Sequence, residues 1–238
     1  MADVLSSGLF ISEILADNAG GGANATASDG NASKAEEYIE IQNTAKSPVS
    51  LNGYQIWSEK LGLIYTFGPG DTIAPGGTAN VLGEYTGPPA PGFFDSGGPA
   101  NGDFLPDGQG SLWDNVYLLD TNTGEYVALG YGLPPRPFNQ PPGFTGTTQV
   151  GSGEPIASGA PNGLSIARDA NGTLIETTPT PGVPDPVCFA QGTFIRMADG
   201  TERAVEDLTP GDLIWTEDDP HCPLVHLAIS PCHKCDDH

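Results

Sequence analysis

The stretch Glu37-Tyr38-Ile39-Glu40-Ile41-Gln42-Asn43 decides the fold class of this chain. Its two isoleucines alternate with more polar residues, and a period of two is typical of a β-strand that turns one face to a core. The pattern predicts that the isoleucines face one side of the strand, whereas Tyr38, Glu40 and Gln42 face the other. Such a strand needs others beside it, and the flanking sequence supplies them.

Short runs rich in β-branched and aromatic residues lie on both sides of this stretch and are separated by Gly, Pro and Asn turn signals. Asn52-Gly53 is a strong signal for a tight turn, and residues 121–124 are predicted to close a hairpin. The predicted strands cover residues 9–15, 49–51, 54–57, 63–67, 79–82, 115–120, 125–131 and 163–168. The sequence therefore predicts an all-β fold.

Glycine and proline are frequent and have no period: the chain has Gly 33 and Pro 23 among 238 residues, which indicates neither collagen nor a helical protein. Many of them lie in two long insertions. Residues 84–110 also contain Phe93, Phe94 and Phe104, and because three aromatic side chains seldom stay solvated together, we expect an ordered insertion loop there. Residues 132–161 are predicted to be a loop as well.

Four motifs occur in a characteristic order: residues 11–14, 37–41, 49–54 and 72–77. In this order they resemble the lamin tail domain, which occurs in nuclear lamins and in many bacterial surface and secreted proteins. The resemblance spans residues 8–183, with the two insertions as departures. It implies an immunoglobulin-like β-sandwich of two antiparallel sheets.

A second pattern begins at Cys188 and has the form Cys-Phe-x-x-Gly-Thr over residues 188–193. Asp199-Gly200 follows as a hairpin turn, and residues 205–212 read Val-x-Asp-Leu-x-Pro-Gly-Asp. This series resembles the opening of a Hint domain, the self-processing fold of hedgehog proteins and inteins, and predicts a small partial Hint-type β unit over residues 188–216. The resemblance implies that Cys188 attacks the carbonyl carbon of Val187, and that Thr193 helps to set up the site.

The second pattern also departs from its family. The family has a Thr-x-x-His motif that polarises the scissile amide, but no histidine lies between Cys188 and His221. We therefore expect little or no cleavage by this chain, and at most single-turnover autoproteolysis. The alternative hypothesis is a purely adhesive or binding module with a vestigial Hint segment.

The two parts meet at a proline-rich segment, because Pro181, Pro184 and Pro186 lie within seven residues. Prolines favour a stiff, extended chain. The sequence predicts that residues 184–187 form a linker that presents the Val187–Cys188 bond away from the sandwich.

Residues 217–238 hold all four histidines and three of the four cysteines. Their spacing is compatible with a tetrahedral zinc site made by Cys222, His226, Cys232 and Cys235. The alternative is that this tail comes from a frameshift or a misjoined reading frame. Loops that carry Asp95, Asp103, Asp107 and Asp114 could bind Ca²⁺, or they could simply be solvated. No other cofactor is predicted.

The chain is strongly acidic, with Lys+Arg 8 against Asp+Glu 30 and a formal net charge of −22. This charge repels nucleic acid, so no nucleic-acid partner is predicted. No stretch is long and apolar enough to span a membrane. Although no Sec signal peptide is visible, the resemblances and the charge predict a secreted or cell-surface protein with an unknown extracellular or surface partner.

Overall fold

A computed structural model describes residues 2–18, 36–83, 90–98, 104–106, 113–169, 172–185, 194–204, 207–209, 212–214 and 222–223. The chain divides into two compact units, Met1–Pro186 and Val187–His238. The described residues form strands and no α-helix, which confirms the predicted all-β class. In the same residues, no helix has the length and apolar character needed to cross a membrane. The finer boundaries predicted at residues 183 and 216 stay predictions.

The first unit contains fourteen described strands: β1 (Leu9–Leu15), β2 (Tyr38–Asn43), β3 (Val49–Ser50), β4 (Tyr54–Ser58), β5 (Gly62–Thr66), β6 (Thr72–Ile73), β7 (Thr78–Leu82), β8 (Phe93–Asp95), β9 (Trp113–Asp120), β10 (Glu125–Gly132), β11 (Thr148–Gln149), β12 (Glu154–Ile156), β13 (Ser165–Arg168) and β14 (Leu174–Thr177). They form two large sheets and the small pair β3–β6. The first sheet has the order β14-β13-β1-β2-β7-β8. The second has the order β11-β10-β9-β4-β5, and β12 also pairs with β10.

The apolar sides of the strands form one large core cluster. Residues from both sheets contribute to it, among them Ile14, Ile39, Ile41, Ile56 and Leu118. The hairpin predicted at residues 121–124 is confirmed, since β9 and β10 pair antiparallel on either side of it. The strands that belong to the predicted sandwich therefore lie where their sequence periodicity puts them.

The prediction for β2 is confirmed for one of its two faces. Its two isoleucines lie in the core as expected. On the opposite face, however, Tyr38, Glu40 and Gln42 are also fully buried. A strand with one face in a two-layer core exposes its other face unless further chain covers it.

The two insertions add strands to the sheet edges. In the first, β8 pairs parallel with β7, and Phe94 stacks edge-on against Phe67 with ring centroids 5.1 Å apart. Phe104 is also buried, so the described part of this insertion is ordered as predicted. The expectation of a plain loop over residues 132–161 is wrong, because β11 and β12 both pair parallel with β10. Parallel pairing needs a long return connection, and the insertions provide it.

In the second unit the structure describes two short hairpins. Strand β15 (Phe194–Arg196) pairs with β16 (Glu202–Ala204), and β17 (Leu213–Ile214) pairs with β18 (Cys222–Pro223). The first hairpin turns at the predicted Asp-Gly pair, where Gly200 has φ +86°. Glycine adopts this left-handed conformation at no steric cost, so the turn prediction is confirmed.

Candidate functional site

Most of the residues predicted to carry chemistry lie outside the described residues. These are Val187, Cys188, Thr193, His226, Cys232 and Cys235. The remaining zinc candidate is Cys222, whose backbone lies in β18 opposite Ile214. Within the described part of the chain, no three His, Cys, Asp or Glu side chains are grouped so as to hold a metal ion. The processing site and the zinc site stay predictions.

The calcium candidates are partly described. Asp103 and Asp107 lie outside the described residues, and Asp95 is exposed on β8. Asp114 is buried on β9, where it accepts hydrogen bonds from the Ser58 hydroxyl and from the backbone N–H of Asn115. Burial raises the pKa of the Asp114 carboxyl to about 6. The Asp114 carboxyl is therefore hydrogen-bonded to groups inside the protein and does not lie in a loop as the calcium hypothesis assumed.

The structure reveals a polar site that the sequence did not predict. Residues 178–185, here called the strap, follow β14 and cross the first sheet. The N–H of Thr180 donates to Glu13 Oε1 at 3.1 Å, and the N–H of Gly182 donates to Glu40 Oε2 at 2.8 Å. Because Glu40 alternates with the core isoleucines of β2, these contacts lie on the outer face of the sheet. The strap covers Glu40 on this face, and Phe93 of β8 packs against the cluster that contains Tyr38.

Glu13 and Glu40 are cross-strand partners on β1 and β2, and both are fully buried. A β-bulge shifts the register between Ile11 and Glu13. A bulge sets two residues of one strand against one residue of its neighbour. Here it brings the Ser12 hydroxyl within 2.8 Å of Glu40 Oε1, to which it donates a hydrogen bond. The Ser165 hydroxyl on β13 hydrogen-bonds Glu13 from the other side.

Burial dominates the electrostatics of this site. It raises the pKa of the Glu40 carboxyl to about 8, although the hydrogen bonds from Gly182 and Ser12 act in the opposite direction. Burial also raises the pKa of Tyr38 well above its usual range, and the neighbouring Glu13 adds to this effect. Desolvation penalises the charged form of an acid, so burial favours the protonated form of Glu40.

The C-terminal end of the strap is anchored as well. Asp185 is 6% exposed, and its Oδ2 accepts the backbone N–H of Arg168 at 2.9 Å. Its carbonyl oxygen accepts Gln42 Nε2 at 3.3 Å. Asp185, within the predicted linker 184–187, is therefore held against the first sheet, while the linker as a whole stays a prediction. The proline spacing indicated a stiff chain, but the buried carboxylate ties that chain to the sheet.

The Arg168 side chain, on the first sheet, forms a buried ion pair with a residue of the second sheet. It is 3% exposed, and its two terminal nitrogens donate to the two oxygens of Glu154 at 2.9 and 2.8 Å. One of these nitrogens also donates to the carbonyl oxygen of Ile11 at 3.3 Å, and the guanidinium lies 5.4 Å from the ring centre of Phe10. This arrangement joins β13 to β12 and β1.

Comparison with protein families accounts for both parts of the chain. The model of the lamin tail domain matches residues 5–132, which is more than half of the chain. The chain belongs to the lamin tail domain family. A Hint domain model matches residues 187–235, in the predicted order. No curated protein and no solved structure matches the chain.

The lamin tail match ends at the last residue of β10, whereas the sandwich continues through β13, β14 and the strap. The strap that covers the lamin tail sheet therefore lies between the two matched ranges. The Hint match includes most of the predicted tail, 217–238, which does not support a misread frame there.

Sequence reasoning missed the strap site for a physical reason. The sequence shows a polar face on β2 and a proline-rich segment that begins at Pro181, but nothing local joins the two, since Gly182 and Glu40 are 142 residues apart. One signal was present. Glu13 and Glu40 sit in the middle of apolar strands of the lamin tail sheet, where an acid is buried only if something else satisfies it.

The close fit of the strap gives a first prediction. Gly182 has φ +78°, and a Cβ built there would lie 3.2 Å from the Phe93 ring. We expect Gly182→Ala to lower the free energy of unfolding by about 2 kcal/mol, because strain from the left-handed backbone adds to that contact. Gly76→Ala is the control, since Gly76 has φ +69° but no atom of the described residues lies within 4 Å of its Cβ position. Equal losses in urea denaturation would contradict a tightly packed strap.

Proposed function

We propose that this chain is a secreted or surface-associated structural and binding module, in which a lamin tail sandwich carries a Hint-type self-processing unit. The observation that carries the processing part is the start of the Hint match at residue 187, one residue before Cys188. This start supports the assignment of Cys188 as the Hint nucleophile. The acidic composition supports an extracellular or surface setting.

The proposed step is an acyl shift at the Val187–Cys188 bond. The thiolate of Cys188 attacks the carbonyl carbon of Val187, the amide C–N bond breaks, and the freed amino group of Cys188 takes up a proton. The product is a thioester between Val187 and the Cys188 sulfur. An added thiol would exchange with this thioester and release a fragment that ends at Val187. A thiolate is the reactive form of cysteine, so the step requires a lowered pKa or a nearby base; Thr193 is assigned to setting up this site.

The fold of the first unit supports a sandwich that is separate from the processing unit. Every described strand of the lamin tail sandwich, and the anchored Asp185, precedes the proposed scissile bond. Cleavage after Val187 would therefore remove none of the hydrogen bonds described for the sandwich and its strap. The released sandwich would keep its own core and its strap, so we expect it to stay folded without the processing unit.

Mass spectrometry of the purified chain tests the proposal. We expect a minor fragment of residues 1–187 after long incubation with a thiol, because the sequence has no Thr-x-x-His between Cys188 and His221. The fragment should not form without thiol, nor in Cys188→Ala. Cys222→Ala is the matched control and should cleave like the wild type. Failure to detect any fragment that depends on Cys188 would sink the processing proposal.

That missing Thr-x-x-His motif also favours a second candidate, a lamin tail module that acts only by binding. In this case the Hint segment contributes no chemistry. Cys188→Ala separates the two candidates, because it abolishes thiol-dependent release in the first and changes no property of the chain in the second.

A further inference from the structure

The strap is held mainly by two carboxyl groups. Glu13 accepts the Thr180 N–H and also the Thr180 hydroxyl, the latter at 3.2 Å on Oε2. Glu40 accepts the Gly182 N–H. Asp185 adds the anchor at the far end. The middle of the strap therefore depends on the state of the Glu13–Glu40 pair beneath it.

Few charges around this pair can balance a second negative charge. On β13, Arg168 brings a positive charge to the sheet, but its guanidinium is already paired with Glu154. Asn80 is fully buried on β7 as the cross-strand partner of Glu40, and it is uncharged. The other polar and titratable groups that face the pair are Ser12 on β1, Tyr38 on β2, Ser165 on β13, and Thr180 and Asp185 on the strap.

We propose that the strap is a latch: it stays closed while the Glu13–Glu40 pair carries at most one negative charge, and it opens when both carboxyls ionise. Two adjacent carboxylates in a dry site repel each other and cannot both be solvated there. Opening the strap admits water to both groups and relieves this repulsion. In the closed state, protonated Glu40 still fits its partners, because one oxygen accepts the Gly182 N–H while the other can donate to the Ser12 hydroxyl.

The direction of the effect follows from the same geometry. Burial raises the pKa of Glu40 from 4.5 to about 8 in the closed strap, so the closed latch is most favoured below about pH 5 and loses this contribution as pH rises through 8. Opening frees the residues that lead to Val187. The latch involves the strap alone and does not depend on any cleavage after residue 187.

Amide hydrogen exchange of the full chain tests the latch. We expect the protection of the Thr180 and Gly182 amides to fall at least tenfold between pH 6 and pH 9. A free peptide of residues 172–187, exchanged in parallel, corrects for the intrinsic effect of pH on exchange. The amides of β2 should lose less protection than those of the strap, because they exchange only when the sheet itself opens.

Glu40→Gln is the decisive variant. The amide can accept from Gly182 and donate to Ser12, so it keeps the hydrogen bonds while removing the titration. We expect its strap protection to change less than threefold over the same range. Glu202→Gln, at an exposed position on β16, is the matched control and should behave like the wild type. Glu13→Gln provides a second test should Glu40→Gln fold poorly. The latch would be overturned if strap protection in the wild type were the same at pH 9 as at pH 6. It would also be overturned if protection in Glu40→Gln and Glu13→Gln fell as much as in the wild type.

Discussion

Replacing Arg168 with methionine is expected to lower the free energy of unfolding of the lamin tail sandwich by about 3–5 kcal/mol. The substitution keeps an apolar stem of similar length but leaves Glu154, which is 16% exposed, without its positive partner. It also removes the donor to the Ile11 carbonyl and the charge that faces the Phe10 ring. A buried group left unpaired costs its full desolvation penalty, so the loss should far exceed that of a surface ion pair.

Urea denaturation followed by tryptophan fluorescence measures this loss. Arg203→Met is the matched control, because Arg203 pairs with Asp212 at the same distance of 2.8 Å but at an exposed position in the second unit. It should leave the transition of the sandwich unchanged. The double variant Arg168→Met/Glu154→Gln should recover part of the loss, since it removes the stranded charge. A midpoint for Arg168→Met close to that of the wild type would show that the pair contributes little.

The stability of the sandwich is expected to fall as pH rises, by about 3 kcal/mol between pH 5 and pH 8 from Glu40 alone. Burial raises the folded-state pKa of Glu40 from 4.5 to about 8. Above pH 5 the unfolded chain has released this proton and the folded chain retains it. The stabilising contribution is therefore present at low pH and is lost as pH rises through 8. Asp114 acts in the same direction at lower pH, because its folded pKa is about 6.

Urea midpoints at pH 5, 6, 7 and 8 measure this dependence. Glu40→Gln should flatten most of the slope and should be more stable than the wild type at pH 8, because the variant has no proton to lose. The comparison with Glu202→Gln controls for the removal of one negative charge from an acidic chain. Wild-type stability that stays level from pH 5 to pH 8 would show that Glu40 is charged and well solvated in the folded protein.

The strands and turns could be predicted because their causes are local. The period of two in residues 37–43 places Ile39 and Ile41 in the core whatever lies on the other face. Asp199-Gly200 makes a turn because glycine tolerates the left-handed conformation that the turn needs. The same locality explains the failure over residues 132–161, where β11 and β12 are strands only because β10 offers them an edge.

The candidate site also has one part that local sequence explains and one part that it does not. The chemical identity of Cys188, and its place at the start of the Hint match, come from residues that stand next to one another in the chain. The anchoring of the residues before Cys188 does not come from residues that are neighbours in the chain. Arg168 holds Asp185 across 17 positions, and Gln42 reaches the same residue across 143. No pattern in the proline-rich segment by itself predicts either contact.

The sequence by itself determined the all-β class, the lamin tail and Hint parts with their order, and the cysteine at their junction, since periodicity, turn chemistry and motif spacing act over a few residues. Only the tertiary structure decided that the outer face of β2 is buried, that Glu13 and Glu40 share one dry site, and that the strap lies across them. Burial depends on which distant segments meet, and the same carboxyl is an exposed charge or a protonated hydrogen-bond partner according to what covers it.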